Sequence, residues 1–290
     1  MLTDPRSAGA RPPFPKQKQP PPGKTAALEP APDHGEESYR GSGLFTDCAV
    51  LITGGDSGIG RAAAIAFARE GADVCISYLD EHEDAEETAR WIRSAGQRAE
   101  LIAGDIGDER HCEDVVRRTI DAFGRLDVLV NNAAFQRTHS KLEDFTREEV
   151  DTTFRTNVES MFFLAKAAAR HMKPGSSILN TTSIQSDHPS PQLLAYATTK
   201  GAISNFTAGL AQLLAPQGIR VNAVAPGPVW TPLIPSTMPA EKAAHFGEDS
   251  PFGRPAQPAE FAGAFVFLAS DAATYISGAI LPVTGGKPML

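Results

Sequence analysis

Cysteine is scarce in this chain: only Cys48, Cys75 and Cys112 occur in 290 residues. Three widely spaced thiols make no complete disulfide framework, and the composition fits a reducing cytoplasm better than a disulfide-stapled secreted domain. Long apolar runs are missing too. Even Met161-Phe-Phe-Leu-Ala is broken by Lys166, and the N-terminus has no apolar centre of a signal peptide, so no membrane partner is expected. Positive charge is neither dense nor dominant. A net charge of -8, a pI near 5.4 and the lack of a Lys/Arg tract speak against a nucleic-acid partner, which needs a concentrated basic face. Metal-ligand spacings are absent: there is no His-Glu-x-x-His or Cys-x-x-Cys, and His111 and Cys112 merely adjoin on an exposed helical stretch. What remains is a soluble, cytoplasmic protein with a small-molecule ligand.

Proline is uneven rather than scarce, with nine of 23 falling in the first forty residues. Residues 1–43 are read as a proline-rich extension unable to build a core of its own, either a mobile tail or an arm on its own or a neighbouring subunit. From Leu44 to Leu290, apolar runs of four to six residues alternate with amphipathic stretches such as 81–95 and 108–123. That alternation predicts βαβ units and one domain with an α/β, doubly wound parallel sheet in three layers. Strands are expected at 49–53, 73–78, 99–103, 128–130, 177–181, 221–225 and 279–283. The proline-rich stretch 232–251 reads as a mobile cover.

Two stretches carry chemistry. In the first, from Cys48 to Arg61, a β-branched run is followed by Gly54, Gly58 and Gly60 and an alanine-rich helix. Such a strand, turn and helix lets backbone approach a ligand and points free amides at phosphate, although alone it is equally a plain connector. In the second, Tyr196 and Lys200 stand four apart on one helix face, so an ammonium can favour phenolate and bring tyrosine into acid/base range. Alone that spacing is common in ordinary helices. Here Ser183 precedes it at a strand end, from where its hydroxyl can hold the same reacting oxygen.

Thr53-Gly-Gly-Asp-Ser-Gly-Ile-Gly60, Asn131-Asn-Ala-Ala134, Asn157, Ser183, Tyr196-x-x-x-Lys200 and Pro226-Gly227 together resemble the single-domain short-chain dehydrogenase/reductase family. Bacterial aldehyde reductase-like oxidoreductases and plant glucose/ribitol dehydrogenase homologues are most similar, down to the leader Pro13-Phe-Pro-Lys. The resemblance implies a Rossmann-type fold of about seven strands, a homotetramer, and a catalytic set of Asn157, Ser183, Tyr196 and Lys200. Tyr196 would exchange a proton with a carbonyl or alcohol oxygen, Lys200 would lower the phenol pKa and hold the nicotinamide ribose, and Asn157 would hold a water. Ser183, Gln185 and Tyr196 would meet the substrate, with His188 on the same loop. The implied cofactor residues are Gly54, Asp56, Ser57, Gly58, Ile59, Gly60, Tyr78, Asp105, Ile106, Asn132, Ala133, Tyr196, Lys200, Pro226, Gly227, Val229 and Thr231. Ala134 departs from the usual glycine.

The choice of nicotinamide cofactor turns on the end of the second strand, where an acid commonly binds the 2′-hydroxyl of NAD. Tyr78 stands there, which permits NADP and favours it slightly over NAD, with Arg61 the nearest cation to Ser57. The expected function is oxidoreduction of an aldehyde or ketone, or of the corresponding alcohol or sugar. A non-catalytic NAD(P)-binding or sensing protein is the alternative. An epimerase or dehydratase would need a further substrate domain after the seventh strand.

Overall fold

The computed structural model describes residues 3–289. Its centre is a seven-stranded, wholly parallel sheet in the order β3-β2-β1-β4-β5-β6-β7. The strands are β1 Ala49–Thr53, β2 Asp73–Tyr78, β3 Ala99–Ala103, β4 Val128–Asn131, β5 Ser177–Thr181, β6 Arg220–Pro226 and β7 Ile280–Val283. Each inner strand is buried on both faces, which is why its sequence reads as a continuous apolar run rather than an alternation. Successive residues still point to opposite sides: Val50 and Ile52 join one core, Leu51 the other.

Helices cover both faces. On one side lie α1 (Gly58–Arg69), α2 (His82–Ser94) and α9 (Ala259–Ala269), and on the other α3 (Glu109–Phe123), α5 (Ser160–Ala169) and α6 (Leu194–Leu214). Between strands β4 and β5, α4 (Arg147–Phe154) runs into α5 through a π-wound turn, Arg155–Glu159. The chain leaves β1 toward β2 and later returns to β4 on its other side, so the carboxyl ends of β1 and β4 open a crevice at the switch point.

The proline-rich stretch 232–251, expected as a mobile cover, contains two short helices, α7 (Leu233–Thr237) and α8 (Ala240–Ala244). Of the readings open for the N-terminal segment, the arm on its own chain is the one seen: its Phe14 and Leu28 share a small core with Trp230, Ile234 and Ala243. Among the described residues no helix is long and apolar enough to cross a membrane.

Candidate active site

The glycine turn after β1 is fixed by close backbone contact. A Cβ on Gly60 would stand 1.9 Å from the Gly54 carbonyl oxygen, and Gly58 adopts φ +50 with its missing Cβ facing Thr231. Asn132 locks the turn to its neighbours: its main-chain N–H donates to Thr53 Oγ1 (3.0 Å) and its Nδ2 to the carbonyl oxygens of Thr53 and Gly54. Asn131 stays out of the crevice. Its Nδ2 donates to Asn180 Oδ1 (2.9 Å), whose own Nδ2 donates to Thr207 Oγ1 (3.0 Å), a buried brace from β4 through β5 to α6.

The glycine turn and α6 meet in one cavity of about 880 Å³. It is lined by Gly54, Asp56, Ser57, Gly58 and Ile59 at one end and by Ser183, Gln185, Tyr196 and Lys200 at the other, with Tyr78, Asp105, Ile106, Asn132, Ala133, Pro226, Gly227, Val229 and Thr231 between. Gly60 underlies the turn without facing the cavity, and Ala134 lines it without obstructing it. His188 does not line it, and its Nε2 instead lies 3.0 Å from the Pro288 carbonyl oxygen. A glycine turn with no room for a Cβ at Gly60, continuous with the Ser183 and Tyr196 hydroxyls, fits a nicotinamide dinucleotide.

Ser183 lies two residues beyond β5 and is buried, with its Oγ accepting from Gln185 N (3.1 Å) and close enough to the Tyr196 phenol to lower its pKa. Tyr196 and Lys200 share one face of α6, and Lys200 Nζ sits 5.2 Å from the Tyr196 ring centroid. The ammonium donates to the Thr181 carbonyl oxygen at 2.7 Å. Electrostatically the pair departs from expectation. Burial pushes the Tyr196 phenol up to about 12, only partly countered by Ser183, and pulls Lys200 down to about 7. Desolvation of both groups outweighs the lysine's effect on the phenol.

Asn157 sits in the π-wound turn and is fully buried. Its Oδ1 accepts from Phe135 N (2.7 Å), while its Nδ2 donates to the Phe135 carbonyl oxygen (2.9 Å) and to Thr199 Oγ1 (3.1 Å). Every polar atom of this side chain is therefore used within the protein, so a water held here would meet the main chain rather than the amide.

At the opposite end, Arg61 is not free to face a ribose. Its Nε donates to the Asp56 carbonyl oxygen (2.8 Å), and its Nη2 donates to the Asp84 carbonyl oxygen (3.0 Å) and pairs with the Asp84 carboxylate (3.2 Å). The cavity wall here comprises Asp56, Ser57, Tyr78, Leu79, Glu81 and Asp105, with no Lys or Arg. Asp56 is 6 % exposed, and burial together with the nearby Glu81 pushes its carboxyl up to about 7. The Tyr78 hydroxyl is committed to His82 Nδ1 (3.0 Å). Asp105 accepts from Gly107 N (2.8 Å) in a local turn.

Sequence reasoning missed the outer wall. Gln136 and Thr138 line the cavity and tie it to α7, through Gln136 Nε2 to Thr237 Oγ1 (2.8 Å) and Thr138 Oγ1 to the Thr237 carbonyl oxygen (3.1 Å). Both are two to four residues beyond the Asn-Asn-Ala-Ala stretch, which was the only signal available. Trp230 adjoins Thr231 and was passed over although it is completely buried. Among the described residues no group of three His, Cys, Asp or Glu side chains is placed to hold a metal ion.

A family model described as Enoyl-(Acyl carrier protein) reductase (adh_short_C2) matches residues 54–287. YhdF of Bacillus subtilis, an uncharacterized oxidoreductase, is 53% identical over 92% of this chain and 92% of its own. Glucose and ribitol dehydrogenase of Daucus carota is 46% identical over 94% of this chain and 96% of its own. In fold, the chain is similar to a short-chain dehydrogenase from Burkholderia cenocepacia solved in complex with NADP, with TM-score 0.77 and 34% identity over 84% of this chain and 98% of that one. With the parallel sheet, the glycine turn and the Ser183, Tyr196 and Lys200 cluster already in place, these likenesses make the chain a member of the short-chain dehydrogenase/reductase family of oxidoreductases.

Proposed function

We propose that this protein interconverts a small carbonyl compound, aldehyde or ketone, and the corresponding alcohol or sugar, using NADP(H) or NAD(H). The observation that carries this reading is that one cavity joins the glycine turn to Ser183, Tyr196 and Lys200. When bound, the dinucleotide supplies or accepts hydride at its nicotinamide ring. Gly54 through Gly60 would hold its phosphates, and Pro226, Gly227, Val229 and Thr231 would flank the ring. Tyr196 donates its phenolic proton to the carbonyl oxygen in reduction and takes it back in oxidation. The Ser183 hydroxyl holds that oxygen at the right distance, and Lys200, anchored on the Thr181 carbonyl oxygen, holds the nicotinamide ribose beside the phenol.

Gln136, Thr138, Gln185, Ser190 and Gln192 line the substrate end beside apolar Phe135, Leu193, Met238 and Phe246. The amides and hydroxyls suit the oxygens of a sugar carbonyl or polyol, in keeping with the name of the carrot relative. The NADP of the Burkholderia structure and the lack of an acid at Tyr78 support NADP, whereas the acidic wall around Asp56 and Glu81 supports NAD. We place the enzyme in the cytoplasm.

Tyr196→Phe tests the assignment. It removes the proton donor and little of the nucleotide site, so turnover should fall at least about 100-fold while NADH and NADPH binding, read by their fluorescence, stays within about threefold. Unchanged turnover on an aldehyde, sugar or polyol that the wild type converts would overturn it.

A further inference from the structure

The N-terminal arm crosses the mouth of the cavity and joins its two ends. On the substrate side Phe14 N donates to the Ala244 carbonyl oxygen (2.7 Å), the Phe14 ring packs on Trp230 with centroids 4.4 Å apart, and Lys16 pairs with Glu241 (2.6 Å). Gln19 N then donates to the Pro235 carbonyl oxygen (3.0 Å), and Ser236 Oγ to that of Pro22 (3.1 Å). At the nucleotide end Thr25 N donates to Asp84 Oδ2 (2.8 Å), the same carboxylate that pairs with Arg61 beneath the glycine turn, and Lys24 pairs with Glu83 (3.0 Å). The arm finally turns back so that the Pro30 carbonyl oxygen accepts from Trp230 Nε1 (2.8 Å). Pro22 itself is part of the cavity wall.

Helices α7 and α8 have five residues each, too few to hold together without outside partners. Those partners are Gln136 and Thr138, which hold Thr237, and, on the outer side, the arm. Its backbone and Phe14 bind Ala244, Pro235, Ser236 and Trp230, and Trp230 precedes Thr231, whose methyl abuts Gly58 of the nucleotide turn. Moving α7 away from the cleft therefore breaks the contacts of residues 14–30 as well.

We infer that residues 14–30 are a clasp belonging to the active site: they hold α7, α8 and Trp230 over the dinucleotide and set how fast it leaves. Phe14 and Trp230 are positioning residues that act on the cofactor site through Thr231. The inference rests on the dinucleotide reading above and concerns its kinetics. Gly23 supplies a narrow test, because it holds φ +90 and a Cβ there would stand 2.7 Å from the Pro232 carbonyl oxygen.

The experiment compares the full-length protein with Gly23→Ala, Phe14→Ala and Trp230→Phe, and with a chain lacking residues 2–31. Release of NADH and of NADPH is followed by stopped-flow through their own fluorescence, beside KM and kcat. Unseating the clasp in Gly23→Ala and Phe14→Ala should speed release at least about tenfold, equivalent to about 1.4 kcal/mol, and raise cofactor KM without an equal fall in kcat. Trp230→Phe keeps an aromatic ring against Phe14 but loses the hydrogen bond to Pro30, and should shift release in the same direction by less. If the shortened chain does not fold, the three point variants decide. A lowered thermal midpoint with unaltered release and KM in those variants would overturn the clasp, leaving the arm a stabilising wrap. A wild type that binds neither nucleotide would remove the reading on which the clasp rests, whereas binding with unaltered release removes the clasp alone.

Discussion

Asp56 stands in the glycine turn, and among the described residues no cation pairs with its carboxylate, since Arg61 beside it is spent on the Asp56 main chain and on Asp84. Burial and Glu81 hold its carboxyl at about 7 against the Ser57 hydroxyl, which lowers it, and Asp84 is a further carboxylate nearby. In the folded chain Asp56 keeps its proton from its ordinary value near 3.8 up to about 7. The unfolded chain releases it over that range, so this group's contribution to stability falls as pH rises from about 4 to about 7. Asp56→Asn should therefore raise the melting temperature above pH 7, by about 2–4 °C per kcal/mol recovered, and the gain should vanish toward pH 4. The same substitution removes the negative charge that a 2′-phosphate would meet. NADP binding should strengthen several-fold relative to NAD at pH 8, with little change at pH 5.5, as titration of each oxidised cofactor by calorimetry would show. Equal effects on both cofactors at pH 8 would mean that Asp56 does not face the ribose.

At the scale of elements, the π-wound turn between α4 and α5 presents Asn157, whose side chain holds both main-chain groups of Phe135 beyond β4. Asn157→Ala would leave the buried Phe135 N–H and carbonyl oxygen without their partners, at about 1–3 kcal/mol. Differential scanning fluorimetry should show the loss, and substrate KM should rise because Gln136, next in the chain, lines the cavity. Unaltered stability and KM would show that Phe135 finds other partners. Elements like these were unevenly legible in the sequence. The strands stood out because a parallel sheet buried on both faces demands continuous apolar runs, and the glycine turn, Tyr196 and Lys200 stood out because their spacing is local. Asn157 was found through resemblance alone, since nothing local marks a side chain whose partners, Phe135 and Thr199, are 22 and 42 residues away. The ordering of 232–251 was hidden for the same reason, as it depends on Phe14 and Pro30 some 200 residues earlier. Arg61 looked available because sequence shows a charge and not its hydrogen bonds.

For the whole molecule, the surface beyond the active site is uneven in apolar character. Phe162 on α5 and Leu213 on α6 are 55% and 70% exposed, and Phe162 packs on Phe206 with centroids 4.5 Å apart. On these helices Ala165, Ala167, Ala168 and Ala197 are buried inside the monomer. We propose that the phenylalanine and leucine face, not the alanines, packs against a second copy in a homotetramer. Light scattering after size exclusion should give a tetrameric mass for the wild type and a smaller one for Phe162→Glu, whose charge cannot be buried unpaired. A monomeric wild type would defeat this reading.

The π-wound turn at Arg155–Glu159 has a consequence for how the two ends of its helix relate. A turn that holds one residue more than an α turn takes up the surplus in its wider girth, so the helix beyond it keeps the face it would have had without that residue. Thr152 and Thr156 line the cavity, while Leu164 and Ala168 beyond the turn enter the core with α3, α6 and the sheet. The wide turn thus works as slack in an otherwise rigid rod: it lets Asn157 reach the Phe135 main chain without rotating Leu164. Removing one residue there should draw the slack tight and take the amide from Phe135, while Leu164 keeps its place in the core.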